Sequence, residues 1–400
     1  MFLTKDEERI LDGEKGLIAS KAMRLIVTLG DINDAKRLVP IKRSQISGVS
    51  YKTAGEPTLT LIERMVTEKV RVKTISTLNP SGMDLDKWEE MGIKPDFSEK
   101  QLRLCNAYGK LGIRKSCTCT PYLSNNRPCF GEIVGFSESS AVAYVNSVIG
   151  ARTNRHGGLD ALSAAIIGKV PLMGYLLDEN RRSNVLVKAK FNPKNETDYS
   201  VLGYSVGKKL KTGEVPVYDG IGEAGFDDLK LMGAASAASG SVAIFHVLGI
   251  TPDYKKESER HKAKLIVTRS ELKKVYSELS NIEDHDLVTL GCPHCSLNEL
   301  RKIAHYLSGK KVSRRKKVWI FTSPKVFTKA SQLGIVYRIE SSGVEIFKHT
   351  CMVVMPLEDM GFKRVCTNSA KAAFYIPRMT KGKCDVGMSS LEECIGKSVC

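Results

Sequence analysis

Apolar and polar positions follow two rhythms along this chain. Over Lys5–Ile10, Gly13–Leu29 and Pro57–Val70 the apolar residues recur at helical spacing, with a Gly-bracketed polar loop, Ser47–Glu56, ahead of the last. Val72–Leu78 is a continuous apolar run ending in Asn79-Pro80-Ser81-Gly82-Met83-Asp84, which predicts a strand entering a turn. Ser98–Gly112 predicts a helix opened by Ser98, with Gln101 at capping-box spacing. From Ser137 to Gly168, and again over Gly233–Gly240, small residues dominate, as they do where helices pack closely. Beyond the polar segment Thr251–Lys264 the pattern changes. Short apolar runs at Leu265–Thr268, Leu287–Leu290, Val318–Thr322 and Met352–Met355 alternate with helical stretches at Arg269–Leu279, Ser296–Leu307 and Lys325–Leu333. That alternation is the signature of a parallel α/β sheet with crossover helices. The expected organisation is an N-terminal α/β region over 1–250 with more than one subdomain, a connector at 251–264 and a C-terminal parallel α/β domain over 265–400.

Composition narrows the class. With 400 residues, 42% of them hydrophobic and 26% charged, the chain is a globular protein too long for one ordinary core. The start, Met1-Phe2-Leu3-Thr4-Lys5-Asp6-Glu7-Glu8, lacks the basic and apolar regions of a signal peptide. The longest apolar stretches are about half the ~20 residues that a membrane span needs. A cytoplasmic location without membrane contact is therefore expected. Eleven cysteines in a reducing compartment point to metal ligation or catalysis for a clustered subset, and not to a disulfide framework. The net charge of +17 suits an anionic partner or substrate. Its densest run, Lys310–Lys317, holds no interleaved aromatic residue and reads as a solvated loop, which argues against nucleic acid.

Three cysteine-bearing segments carry candidate chemistry. Gly291-Cys292-Pro293-His294-Cys295-Ser296 places a Cys-X-X-Cys pair at the carboxyl end of a buried strand, where ligands bind in open α/β sheets. Ser296 and Glu299 have the spacing of a capping box for the helix that follows. Cys117-Thr118-Cys119 lies in a Thr-rich turn before Pro121, and Cys366 follows another predicted strand beside Asn368, Ser369 and Lys371. Cysteines on separate segments that leave one iron position open suit a cluster acting as a Lewis acid. Cys105, Cys129, Cys351, Cys384, Cys394 and Cys400 read as structural or incidental. His156, His246, His261, His285, His305 and His349 are scattered without ligand spacing, whereas His294 sits inside the thiol motif and reads equally as a proton donor or as a packed residue. Arg152 and Arg155 suit bidentate recognition of a carboxylate or phosphate, in the company of Asn146, Ser147 and Asn154.

Ser-Gly-Val-Ser-Tyr-Lys at 47–52, Cys-Thr-Cys-Thr-Pro-Tyr at 117–122, Ser-Glu-Ser-Ser-Ala-Val at 137–142, Asn-Ser-Val-Ile-Gly-Ala-Arg-Thr-Asn-Arg at 146–155, Gly-Cys-Pro-His-Cys-Ser at 291–296 and Thr-Asn-Ser-Ala-Lys at 367–371 together resemble the aconitase X family over nearly the whole chain. The resemblance implies an aconitase-superfamily catalytic core: three α/β domains around an iron or iron-sulfur site, without the swivelling small domain. It implies a hydro-lyase whose partner is a small subunit carrying that domain and its catalytic serine. The centre implied is an iron-sulfur cluster, 4Fe-4S ahead of 2Fe-2S or mononuclear iron. The substrate implied is a phosphorylated hydroxy acid, (R)-5-phosphomevalonate, converted to trans-anhydromevalonate 5-phosphate in a modified mevalonate route to isoprenoids. The alternative is cis-3-hydroxy-L-proline or another hydroxy acid, and a remote one is a non-catalytic iron sensor that binds RNA. On this resemblance Cys117, Cys119, Cys292, Cys295 and Cys366 are the expected metal ligands. Ser47, Ser50, Lys52, Asn146, Ser147, Ser369 and Lys371 are expected at the catalytic centre, and Arg152, Thr153, Arg155 and Asn368 on the substrate.

Overall fold

The computed structural model describes residues 1–253 and 263–400, so His261 and most of the expected connector 251–264 lie outside the described residues. Three parallel sheets organise the chain. In the first, Arg43–Ile46 lies between Ile75–Leu78 and Gly135–Phe136. In the second, Val185–Lys190 pairs with Pro216–Asp219 and Ala263–Thr268, and His246–Val247 completes the far edge. In the third, Leu287–Cys295 is central, with Lys317–Thr322 and Glu345–Phe347 on one side and Arg364–Thr367 and Asp385–Met388 on the other. A separate antiparallel pair joins Leu38–Pro40 to Lys169–Pro171.

Two expected strands fall elsewhere. The run 265–268, expected to open the C-terminal domain, instead extends the second sheet, because Ala263–Thr268 pairs residue for residue with Val185–Lys190. Met352–Met355 is a turn and not a strand. Met352, Val353 and Met355 are buried and Val354 partly so, but the carbonyls are met by side chains of the first region: Ser50 Oγ donates to the Val354 carbonyl (2.8 Å) and Lys52 Nζ to that of Met355 (3.1 Å). Burial without a ladder reads in sequence like a buried strand.

Helix boundaries follow local chemistry. The helix expected from Ser98 runs over Pro95–Lys110, with Pro95 in its first turn and Gln101 buried inside it, where the Gln101 side chain supports the backbone at Val49, Tyr51 and Gly82. Ser296 and Glu299 do form the expected capping box at the start of Leu297–Tyr306. The small-residue stretch packs as its composition suggested. Helix Glu196–Gly207 lies so close to Phe226–Gly240 that a Cβ at Gly203 would stand 2.2 Å from the Met232 carbonyl oxygen. The basic run 310–317 is a loop into Lys317–Thr322, and its Lys316 pairs with Asp284. Among the described residues no helix is long and apolar enough to cross a membrane.

Candidate metal centre and active site

In the third sheet, Leu287–Leu290 pairs in register with Lys317–Ile320, and the next pair on that edge is Cys295 with Thr322. The central strand thus advances five residues while its neighbour advances two. The surplus chain, Gly291 to His294, leaves the ladder as a bulge. Gly291 makes this possible: its φ is +99°, and a Cβ there would lie 2.2 Å from the Phe321 carbonyl oxygen. The strands following in sequence go first to one side of the central strand and then to the other, so Cys292 stands at a topological switch point, at the carboxyl edge where open α/β sheets bind ligands. Across that crevice the strand Arg364–Thr367 delivers Asn368, Ser369 and Lys371.

The carboxyl edge of the first sheet faces the same crevice. Thr118 N–H donates to the Leu78 carbonyl (3.0 Å), which sets Cys119 beyond that strand's end, and Phe136 is followed by Ser137 and Glu138. The third sheet sends back the segment after Glu345–Phe347. His349, in the left-handed region at φ 65°, turns the chain, and its carbonyl accepts from Ser81 N (2.7 Å) and Ser81 Oγ (2.9 Å). Cys351 follows two residues on.

Cys119, Cys292 and Cys351 therefore come from three segments to lie near enough to feel one another's charge, and all are buried. Burial pushes the Cys119 thiol well up, and negative charge on Cys351, Glu138 or Cys292 would add to this, against the pull of Lys371. Burial, then the neighbouring Cys292, pushes Cys351 up to about 12. Cys292 is raised by burial too, opposed by Lys371 and by a hydrogen bond with Ser369. These groups are thiols at neutral pH, and a bound cation would displace their protons.

Lys371 supplies the positive charge beside them. It ion-pairs with Glu138 and reaches Ser140 Oγ at 3.2 Å. Burial works against its charge, but Glu138, Cys292 and Cys119 outweigh burial and hold its pKa well above the ordinary lysine value. Glu138 is likewise opposed by burial, yet Lys371, Asn79 Nδ2 (2.7 Å) and Ser140 (3.0 Å) keep it an anion below the usual carboxylate range. Asn368 borders a small cavity with Cys292 and Glu299, its side chain without a hydrogen-bond partner among the described residues. His294 is fully buried and both of its ring nitrogens are engaged. Burial brings its pKa down to about 4, so at neutral pH it carries no proton to donate beyond the one already committed.

Several expected residues stand elsewhere. Cys117, at φ 39°, turns into the first region's core against Cys105, whose hydrogen bond, with burial, pushes its pKa well up. Cys366 lies 3.5 Å from Cys394, sulfur to sulfur, in the core on the other face of the third sheet, because alternate strand residues face opposite sides. Cys295 points back under Gly291 toward Glu299 and Lys230. Ser50 and Lys52 hold the turn after Cys351, and Lys52 also pairs with Glu358 at 2.7 Å. Ser47 is half-buried at the crevice edge, its N–H on Ser137 Oγ (2.7 Å). Asn146, Ser147 and Thr153 are buried struts: Asn146 Nδ2 donates to the Thr153 and Ala243 carbonyls, and Ser147 Oγ accepts from Phe245 N–H. Arg152 is committed to Asp178 and the Leu176 carbonyl, and exposed Arg155 donates to the Ser241 carbonyl (3.1 Å). Neither arginine has a hydrogen bond or ion pair to the residues around Cys119 among the described residues.

Two residues escaped the sequence reading. Cys351 was hidden by the mistaken strand at 352–355 and by having no second cysteine nearby. Glu138 was inside a noted motif, and its signal was a carboxylate in a stretch that otherwise reads as buried. The group Asp84, Asp86 and His349 brings metal-type donors together, but Asp84 already accepts from the N–H groups of Asp86 (2.9 Å), Lys87 (3.3 Å) and Lys348 (2.6 Å), and Asp86 pairs with Lys348.

Residues 1–179, 183–277 and 285–399 match the family models described as the aconitase X first, second and third domains. Over 99% of both chains the protein is 46% identical to the phosphomevalonate dehydratase large subunit of Methanocaldococcus jannaschii. It is also 46% identical to the Methanosarcina mazei protein of the same name, over 100% of this chain and 97% of that one. A more distant relative, the cis-3-hydroxy-L-proline dehydratase of Pseudomonas aeruginosa, is 32% identical over 98% of this chain and 69% of its own. The crystal structure of Thermococcus kodakaraensis aconitase X in its holo form superimposes with a TM-score of 0.92 at 40% identity, covering 100% of both chains.

Proposed function

Because the chain belongs to the aconitase X family, we propose that it is the large, catalytic subunit of a hydro-lyase that dehydrates (R)-5-phosphomevalonate to trans-anhydromevalonate 5-phosphate. The observation that carries this reading is the convergence of Cys119, Cys292 and Cys351 beside Lys371 at the switch point of the third sheet.

The donor set fits an iron-sulfur or iron centre, with a 4Fe-4S cluster as the leading form. Buried thiols are soft ligands, which favour such centres over hard cations. Three of them are one fewer than a closed four-cysteine site uses. Cys119, Cys292 and Cys351 would hold the group. When bound, it supplies Lewis acidity that makes hydroxide a better leaving group. The chain's own residues do the rest. Lys371, fixed by Glu138, presents an ammonium to the substrate carboxylate, Asn368 orients the hydroxyl that departs, and Ser369 hydrogen-bonds the Cys292 sulfur while capping its helix. The proton alpha to the carboxylate is assigned to a serine on the swivelling domain of a small subunit, so that hydroxyl and proton leave together as water. The surplus of positive charge suits a phosphorylated acid.

The test is anaerobic co-purification with the small subunit, followed by iron and sulfide analysis and parallel dehydration assays on phosphomevalonate and cis-3-hydroxy-L-proline. Turnover of phosphomevalonate only by the two-subunit complex supports the proposal. Turnover of hydroxyproline alone, or of phosphomevalonate by the isolated chain, overturns it.

A further inference from the structure

We infer that His294 is a positioning residue that ties together the three cysteine-bearing segments. This rests on the reading above that those cysteines hold an iron-containing centre.

His294 rides on the bulge between Cys292 and Cys295, wholly shielded from solvent. Its Nε2 is 2.7 Å from the Thr350 carbonyl oxygen, and Thr350 immediately precedes Cys351. Its Nδ1 is 2.9 Å from Thr118 Oγ1, and Thr118 immediately precedes Cys119. The hydrogen positions follow from the partners. A carbonyl has no proton to give, so Nε2 carries the hydrogen and Nδ1 the lone pair, and the Thr118 hydroxyl must donate. That hydroxyl also accepts from Thr120 N–H (3.1 Å), and with its single proton given to the imidazole it accepts from Thr120 Oγ1, 3.1 Å away, as well. The His294 N–H donates to Cys119 Sγ at 3.2 Å. Its carbonyl accepts from Lys230 Nζ (3.1 Å), so the residue is itself anchored from the helix Phe226–Gly240.

An ordinary packed histidine needs two partners and has no reason to choose them by sequence. Here both ring partners stand one residue before a converging cysteine, and the backbone amide bonds the sulfur of one of those cysteines. One side chain thereby fixes the Cys119 and Cys351 segments relative to the bulge that carries Cys292. The amide-to-sulfur bond adds electrostatic support to a thiolate, the kind of contact that tunes thiolate-held iron.

The experiment uses the full-length chain, reconstituted anaerobically with ferrous iron and sulfide. Sulfur-to-iron charge-transfer absorption, with iron and sulfide analysis, reports the held centre without any assay of activity. Thr118→Val removes the donor to Nδ1 at nearly constant volume, Thr118→Ser keeps it, and His294→Gln removes the ring; far-UV circular dichroism checks that each is folded. Thr118→Val and His294→Gln are expected to lose iron to a chelator at least about tenfold more readily, the usual scale for lost support behind a metal ligand, and to shift the charge-transfer band, whereas Thr118→Ser stays within about twofold of wild type. A folded Thr118→Val chain with the wild-type spectrum and iron retention overturns the inference. A wild-type chain that retains neither iron nor sulfide removes the cysteine centre itself, and the inference with it, so the two failures are distinguishable.

Discussion

Replacing Glu138 by Gln tests how the site's charge is held. The Glu138–Lys371 pair joins residues 233 positions apart, and the two side chains are only 13% and 9% exposed. Gln preserves the volume and can still meet Asn79 or Ser140, but it leaves the Lys371 ammonium buried without its carboxylate. Breaking a buried pair from one side costs about 3–5 kcal/mol. With Ser140 still 3.2 Å from the ammonium, the lower end, about 3 kcal/mol, is expected, with the pKa of Lys371 brought down. The double variant Glu138→Gln/Lys371→Met removes both charges and should recover most of that loss, with a coupling of at least about 2 kcal/mol, inside the range for contacting residues. Urea unfolding of the metal-free chain at pH 7, followed by the fluorescence of buried Trp319, supplies the numbers. Dehydration should remain absent in Lys371→Met even where stability returns. A Gln variant with the wild-type midpoint, or a double variant as unstable as the two singles summed, would refute the reasoning. The signs of the pH dependence are fixed as well. The contribution of Glu138, whose folded pKa is lowered, is fully present above the unfolded value near 4.5 and is lost as pH falls through the folded one. That of Lys371, whose pKa is raised, is present below the unfolded value near 10.5 and is lost only as pH rises through the folded one.

Cys351→Ser should abolish most iron retention after anaerobic reconstitution, whereas Cys366→Ser, altering the remote Cys366–Cys394 pair, should leave it near wild type; equal loss in both would remove Cys351 from its assigned place. Buried His294, with its pKa lowered to about 4, contributes stability that is present above about 6.5 and lost as pH falls toward 4. That is roughly 3 kcal/mol in the metal-free chain, and it should be absent from His294→Gln when denaturant midpoints are compared across that window. Gly203→Ala should destabilise by about 1–3 kcal/mol through overpacking against the Met232 carbonyl, measured by the same unfolding assay, and a neutral result would mean that the two helices separate at little cost.

What was legible in the sequence was whatever depends on neighbours in the chain. The capping box at Ser296 and Glu299, the buried strand at 287–290 and the small-residue helices could all be read, because each pattern is closed within about ten residues. Cys292 and Lys371 stood out because they follow strands. The residues that the structure places elsewhere share a different cause. Cys117 and Cys119 are two residues apart and indistinguishable in sequence, yet one backbone turn sends the first into a core and the second into the crevice. Cys366 follows the same strand logic as Cys292, but strand alternation carries it to the opposite face. Met352–Met355 has the apolarity of a strand because a loop from the first region covers it, a contact between residues about 300 positions apart that no window reveals.

The bulge at Gly291 to His294 has a consequence for how the centre comes into being. His294 and Cys119 are 175 positions apart, and Ser81 and His349 268 apart, so no helix, hairpin or single sheet assembles the three sulfurs during folding. They meet only once the first and third sheets have closed on each other. The metal group proposed above would be a clasp fastened last, binding the closed chain alone. At a hundredfold excess over its dissociation constant such a ligand would add about 2.7 kcal/mol to closure. Without that group the contacts between the first and third sheets would lose this added stability first, ahead of the secondary structure within each.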